Sequence, residues 1–221
     1  MKRYALSLLA VTALAAGIGF WITRPAPTGE AMLPMAAQAQ EAAEIDTSTI
    51  REMALGPEDA PVTVIEYASF TCPHCADFHA DVLPQLKADY VDTGQVRFVH
   101  REVYFDRYGL WAGMVARCGG GERYFGIADM VYENQRDWAR GEPEQVVGAL
   151  RRFGLTAGLT EEQLDACLSD GVKAQTLIAW YTEHAEADGI EATPSFVIDG
   201  RTYRNMPYDD LREAIDAALG N

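Results

Sequence analysis

Apolar positions recur along this chain in two periods, and the changes of period divide it. The run Val62–Ala68 is short and β-branched, the signature of a buried strand. Over residues 72–90, Phe78, Val82, Leu83 and Leu86 recur at helical spacing, with Pro84 expected to kink that helix without ending it. Asp92-Thr93-Gly94 reads as a turn, and residues 96–103 alternate as a second strand. Together these make one β-α-β unit. A long helical stretch follows, with helices predicted over 110–118, 124–134, 143–153, a short one opened by the capping box Thr160-Glu161-Glu162-Gln163, and 172–187. Glycines are expected to stop these helices at Gly119-Gly120-Gly121, Gly154, Gly171 and Gly189. Strand character returns in Ser195–Ile198 and Arg201–Arg204 around Asp199-Gly200, a two-residue hairpin signal. A last helix, Tyr208–Leu219, closes the chain, and no internal repeat is present.

The N-terminal residues change the picture of where the protein works. Lys2 and Arg3 precede an uncharged apolar run over residues 4–23, which reads as a secretory signal or as an apolar helix long enough to span a bilayer. Ala37-Gln38-Ala39 fits a small-x-small cleavage site but lies far downstream, and Ala13-Leu14-Ala15 is buried inside the run. A cleaved signal and an uncleaved anchor both place the body of the protein outside the cytoplasm. Residues 24–49, with Pro25, Pro27 and Pro34, read as a tether, and folded structure is expected from about Ile50. The 221 residues are 48% hydrophobic, enough for one substantial domain with an insertion. A formal charge of −15 argues against nucleic-acid binding through a basic surface.

The candidate chemistry lies in Cys72-Pro73-His74-Cys75, between the first strand and the first helix. Two thiols at C-x-x-C spacing can close a small disulfide ring, and a helix start favours the thiolate of the first. Cys72 is then the exposed, attacked sulfur, and Cys75, one turn on, is its less accessible partner. Pro73 suits an early helical position, and His74 can hold positive charge or donate a hydrogen bond toward Cys72. A zinc site built from Cys72, His74, Cys75 and His79 is the rival use, but a histidine between the two cysteines is poorly placed to share one ion with both. If the strand that carries Glu66 is covered on both faces, its carboxyl should titrate high and could exchange a proton with Cys75; a solvated edge position is the alternative. Cys118 and Cys167 remain; four cysteines allow three pairings. The aromatics Phe105, Trp111, Tyr124, Phe125, Trp138 and Trp180 are read as core.

With Cys72-Pro73-His74-Cys75, Glu66 six residues before it, Thr193-Pro194 ahead of a strand and a helical insertion between the halves, the chain resembles the DsbA-like thiol–disulfide oxidoreductases over roughly residues 50–221. The resemblance implies an α/β, thioredoxin-like fold with an inserted α-helical subdomain. Its halves would be residues 50–105 and 190–221, with the insertion over 106–189. It further implies a cis Thr193-Pro194 bond that sets the Thr193 backbone beside Cys72, where it can pair with substrate, and no cofactor. In the family the Pro-His pair accompanies oxidising members. Pairing Cys72 with Cys75 and Cys118 with Cys167 is favoured, and some relatives carry such a second bridge; two buried free thiols remain the alternative. The expected activity is oxidation of reduced exported proteins in the periplasm, with reoxidation by a quinone-linked membrane partner of DsbB type. A disulfide isomerase or reductase is the rival within the chemistry, although isomerases of this kind usually carry an N-terminal dimerisation domain and the short tether counts against one. A membrane-tethered holdase is the rival outside it.

Overall fold

The computed structural model describes residues 45–220. The apolar segment 1–23 and residues 24–44 of the tether lie outside the described residues. Within them no helix is long and apolar enough to cross a membrane. Residues 47–50 form a turn, and the Thr47 hydroxyl donates to Glu183 at 2.9 Å.

Strands β1 (Met53–Leu55) and β2 (Val62–Ala68) precede a long helical run, α1 (residues 73–91), and β3 (Val96–Glu102). Six helices follow: α2 (Arg107–Cys118), α3 (Gly120–Glu133), α4 (Gln135–Trp138), α5 (Pro143–Thr156), α6 (Glu161–Ser169) and α7 (Gly171–Ala187). The chain ends with β4 (Ser195–Ile198), β5 (Arg201–Arg204) and α8 (Tyr208–Leu219). The sheet order is β1-β3-β2-β4-β5; β2 and β3 are parallel and every other pair is antiparallel. Asp199 and Gly200 both take positive φ (47° and 73°), the conformation a two-residue hairpin turn requires. This is a thioredoxin-like fold with a helical insertion between β3 and β4.

Strand β2 is central and paired on both sides, so it tolerates little exposure. On one face, Val62, Val64, Val96, Phe98, Phe196 and Ile198 pack against Phe78 and Leu86 of α1 and Leu211 and Ile215 of α8. On the other, Tyr67, Val103 and Val197 pack against Ala185 of α7. The largest apolar cluster joins Ala68, Phe70 and Cys75 to the insertion through Val115, Tyr124, Ile127, Val131 and Leu150. The insertion therefore shares a core with the end of β2 that carries the motif.

Helix α1 does not simply kink. It alternates α-helical segments, Pro73–Asp77 and Leu83–Leu86, with π-helical ones, Phe78–Val82 and Lys87–Val91. Pro84 has no N–H and its ring crowds the preceding turn, so a wider π turn accommodates it. Gly154 does not stop α5, which runs on to Thr156. A Cβ there would lie 2.6 Å from Leu164 Cδ2, so this glycine serves a close approach of α6 to α5. Helix α3 starts at Gly120, four residues before the expected start, and β1 and α4 are short elements the periodicity does not show.

Candidate active site

Cys72 occupies the N-cap of α1 with extended backbone angles, and Pro73 takes the first helical position. Both motif cysteines are free thiols; Cys72 is half-buried and Cys75 is 0% exposed. Cys72 Sγ lies 3.5 Å from the carbonyl oxygen of Thr193, and the Thr193–Pro194 bond is cis. The Cys72 thiol is lowered from 9.0 to about 5. A hydrogen bond from the Cys75 thiol is the main cause; half-burial opposes it, while the Thr193 side chain and the N–H groups of Cys75 and His74 add to it. Cys75 moves the other way, far above its ordinary value, because burial, its bond to Cys72 and the nearby Glu66 carboxylate all disfavour its anion. His74 is exposed, with Nδ1 3.8 Å from Asp77.

Glu66 faces the motif from β2 and is fully buried. In the sheet it stands opposite His100 of β3 and Phe196 of β4. Burial raises its carboxyl from 4.5 to about 8, the His100 imidazole opposing and the Cys72 thiolate adding. Its one hydrogen bond is to His79 Nε2, 2.9 Å from Oε2; Oε1 has no partner among the described residues.

A buried polar network extends from there. Arg117 donates to both carboxylate oxygens of Glu102, at 2.7 and 2.5 Å, and that carboxylate accepts the Tyr124 hydroxyl at 2.7 Å. With its proton committed to Glu102, the Tyr124 oxygen must accept at its other contact, 2.7 Å from His100 Nδ1. His100 is then the Nδ1–H tautomer, and its Nε2 lone pair accepts the Tyr132 hydroxyl at 3.0 Å. Burial lowers His100 to about 4, consistent with a neutral ring.

Glu66, His79 and His100 place one donor atom each within 4.8 Å of one another, the one such His/Cys/Asp/Glu cluster among the described residues. Both nitrogens of His100 are already engaged with tyrosines, so the triple is a hydrogen-bonded cluster and His100 has no free lone pair for an ion. Cys72, His74, Cys75 and His79 are not gathered round one point, for His74 is exposed and His79 is buried against Glu66.

Two clefts flank the motif. One, of about 380 Å³, is lined by Thr71, Cys72, Pro73, Phe105, Tyr108 and Arg140 among others. Phe105 is 60% exposed on its rim, which corrects the reading of that residue as core. Of the other aromatics, Tyr124, Trp138 and Trp180 are buried, and Trp111 and Phe125 are partly so. The second cleft lies against His79, and Gln135 and Arg136 of α4 line both. Gln135 is buried and donates through Nε2 to the carbonyls of Phe70 and Cys72, each at 2.9 Å. Nothing in the sequence marked Gln135, in a four-residue helix. His100 did carry a signal, since alternation puts it on one face of β3 with Val96, Phe98 and Glu102. Away from the motif, Cys118 and Cys167 are joined, linking α2 to α6.

Comparison with known proteins agrees with this fold. A family model described as Thioredoxin matches residues 48–217. A putative protein-disulfide oxidoreductase of Rickettsia bellii is 34% identical over 169 residues, 76% of this chain and 64% of the relative. The chain thus spans less than two thirds of the length of that relative. Disulfide bond formation protein D of Bacillus subtilis is 26% identical over 190 residues, 82% of this chain and 83% of that one. The crystal structure of Wolbachia pipientis alpha-DsbA1 superposes with a TM-score of 0.70 at 27% identity, covering 77% of this chain and 92% of that one.

Proposed function

This chain belongs to the DsbA-like family of thioredoxin-fold proteins, and we propose that it is a thiol–disulfide oxidoreductase acting as a dithiol oxidase. The observation that carries the reading is the asymmetry of the pair: Cys72 is half-buried and lowered to about 5, while Cys75 is buried and pushed far up. A stabilised Cys72 thiolate favours the reduced form, which makes the disulfide form the stronger oxidant.

In the oxidised enzyme a substrate thiolate attacks Cys72 Sγ. The Cys72–Cys75 bond breaks, a substrate–Cys72 disulfide forms, and the electron pair leaves on Cys75. A second substrate thiolate then attacks the substrate sulfur of that mixed disulfide and expels Cys72 as its thiolate. The substrate dithiol has lost two electrons and the enzyme has gained them. The Thr193 backbone, in reach of Cys72, offers an extended substrate chain a hydrogen-bonding edge. Pro194 fixes the approach to β4, and His74 stands exposed at the rim. The Cys118–Cys167 link has no part in this exchange and serves stability.

The substrates proposed are reduced exported proteins, and the site of action lies outside the cytoplasm, in keeping with the basic-then-apolar N-terminal residues. Turnover then needs a membrane reoxidase of DsbB type to accept the two electrons. Equilibration of the Cys72–Cys75 pair against glutathione buffers tests the reading. A potential near the oxidising end of the thioredoxin-fold range, about −120 mV, is the expected result. One near about −270 mV would make the protein a reductase and overturn the oxidase assignment.

A further inference from the structure

The exchange just described leaves Cys75, a buried thiol, holding an electron pair where an anion is strongly disfavoured. A proton must reach it, and Cys72 does not offer the way, because the substrate chain is bonded there at that moment. Glu66 is the nearby acid, yet it is itself sealed from solvent and must be recharged. We propose that His79 is the relay that recharges it, passing protons between Glu66 and solvent through the second cleft; this rests on the oxidase reading above.

Three observations support the assignment. Among the described residues the only hydrogen bond Glu66 makes is to His79, Nε2 to Oε2 at 2.9 Å; His100, at 4.0 Å, is committed through both nitrogens to Tyr124 and Tyr132. His79 also lines a cleft of about 680 Å³ whose other walls include Ala80, Leu83, Lys87, Asp129 and Tyr132. And His79 Nδ1 is a buried polar atom with no partner among the described residues, as is Glu66 Oε1. A buried polar atom left without a partner costs roughly 1–3 kcal/mol, so two in one contact pair call for an explanation. Here the two unpaired atoms are the two ends of a proton path whose middle is the Glu66–His79 bond.

The protons balance as follows. Glu66 gives the proton on Oε1 to the Cys75 thiolate, forming the S–H bond and leaving a carboxylate that accepts the His79 Nε2–H. The Nε2 proton then moves to Oε2 as Nδ1 takes one from the cleft side. One proton enters from solvent and one thiol is formed; reoxidation runs the same path outward. Burial holds His79 at about 3, so the ring is neutral, with one nitrogen to give and one to take. The titratable groups that face it are Glu66 of β2, His100 of β3, and Tyr132 and Asp129 of α3, while Asp77, Lys87, Asp92, Glu133 and Arg136 line the same cleft. Among the described residues His79 makes no hydrogen bond to either thiol, and it acts through Glu66 alone.

The test is rapid mixing of the oxidised full chain with a dithiol peptide, comparing the native protein with His79→Gln. Glutamine can still donate an N–H to Glu66 but cannot pass a proton through. The expected result is a rate of reduction lower by on the order of a hundredfold, restored in part by added imidazole, with the Cys72 titration and the reduction potential unchanged. An unchanged rate overturns the relay. So does a slowing that imidazole does not relieve and that comes with a shifted potential, which would mark a merely structural role. Should His79→Gln not fold, Ala80→Phe closes the cleft from its exposed rim; slowing is again expected, and an unaltered rate overturns the proposal. A native chain that oxidises no dithiol peptide would instead refute the oxidase reading, and the relay with it.

Discussion

Three residues apart in sequence, the motif thiols inhabit opposite electrostatic settings, and single side chains account for much of the difference. The Thr193 side chain is one of the donors to the Cys72 thiolate. Thr193→Val should raise the ultraviolet thiolate titration of Cys72 from about 5 by up to roughly one unit, the partial exposure of the sulfur limiting the effect. Glu66 provides a second readout. Its folded carboxyl lies above its unfolded one, so its contribution to stability is complete below 4.5 and is lost as pH rises through about 8. Cys72 has the opposite sign: the dithiol form gains stability above 9.0 and loses it as pH falls through about 5. Thermal unfolding of the reduced protein from pH 5 to 8 should therefore show Glu66→Gln gaining on the native chain as pH rises. A constant difference would mean that Glu66 titrates normally.

Among the elements, β2, β4, β5 and α8 have the limits their periodicity predicts, because each repeats one pattern between clear turn residues. The polar side chains that meet beneath the motif were legible only in part. Glu66 and the two cysteines declare themselves by type and spacing. His79 falls within a helical run, and its burial depends on how α1 lies against β2 and α3, which no local pattern encodes. Gln135 is a case of tertiary context deciding everything. Its amide holds two carbonyls of the turn that leads into Cys72, and because the Cys72 carbonyl also accepts the Cys75 and Ala76 N–H groups, Gln135→Leu should leave only the Phe70 carbonyl without its partner and cost about 1–3 kcal/mol in denaturant unfolding. A neutral result would show that water satisfies the Phe70 carbonyl equally well.

For the molecule as a whole, the Cys118–Cys167 link closes a loop with a sequence separation of 49. Chain-entropy arguments put its contribution at about 4 kcal/mol. Replacing both by alanine should lower stability by about 2–4 kcal/mol and leave the Cys72 titration where it is; a shift of that titration would show that the insertion's rigidity reaches the motif. Because Gln135 and Arg136 line the cleft at Cys72 and the cleft at His79 alike, a short helix stands as a party wall between two compartments. A long polypeptide can fill one compartment while the other stays open to bulk water. The electrons and the protons of a turnover then use separate doors, and the protein need not release its cargo in order to exchange protons with its surroundings.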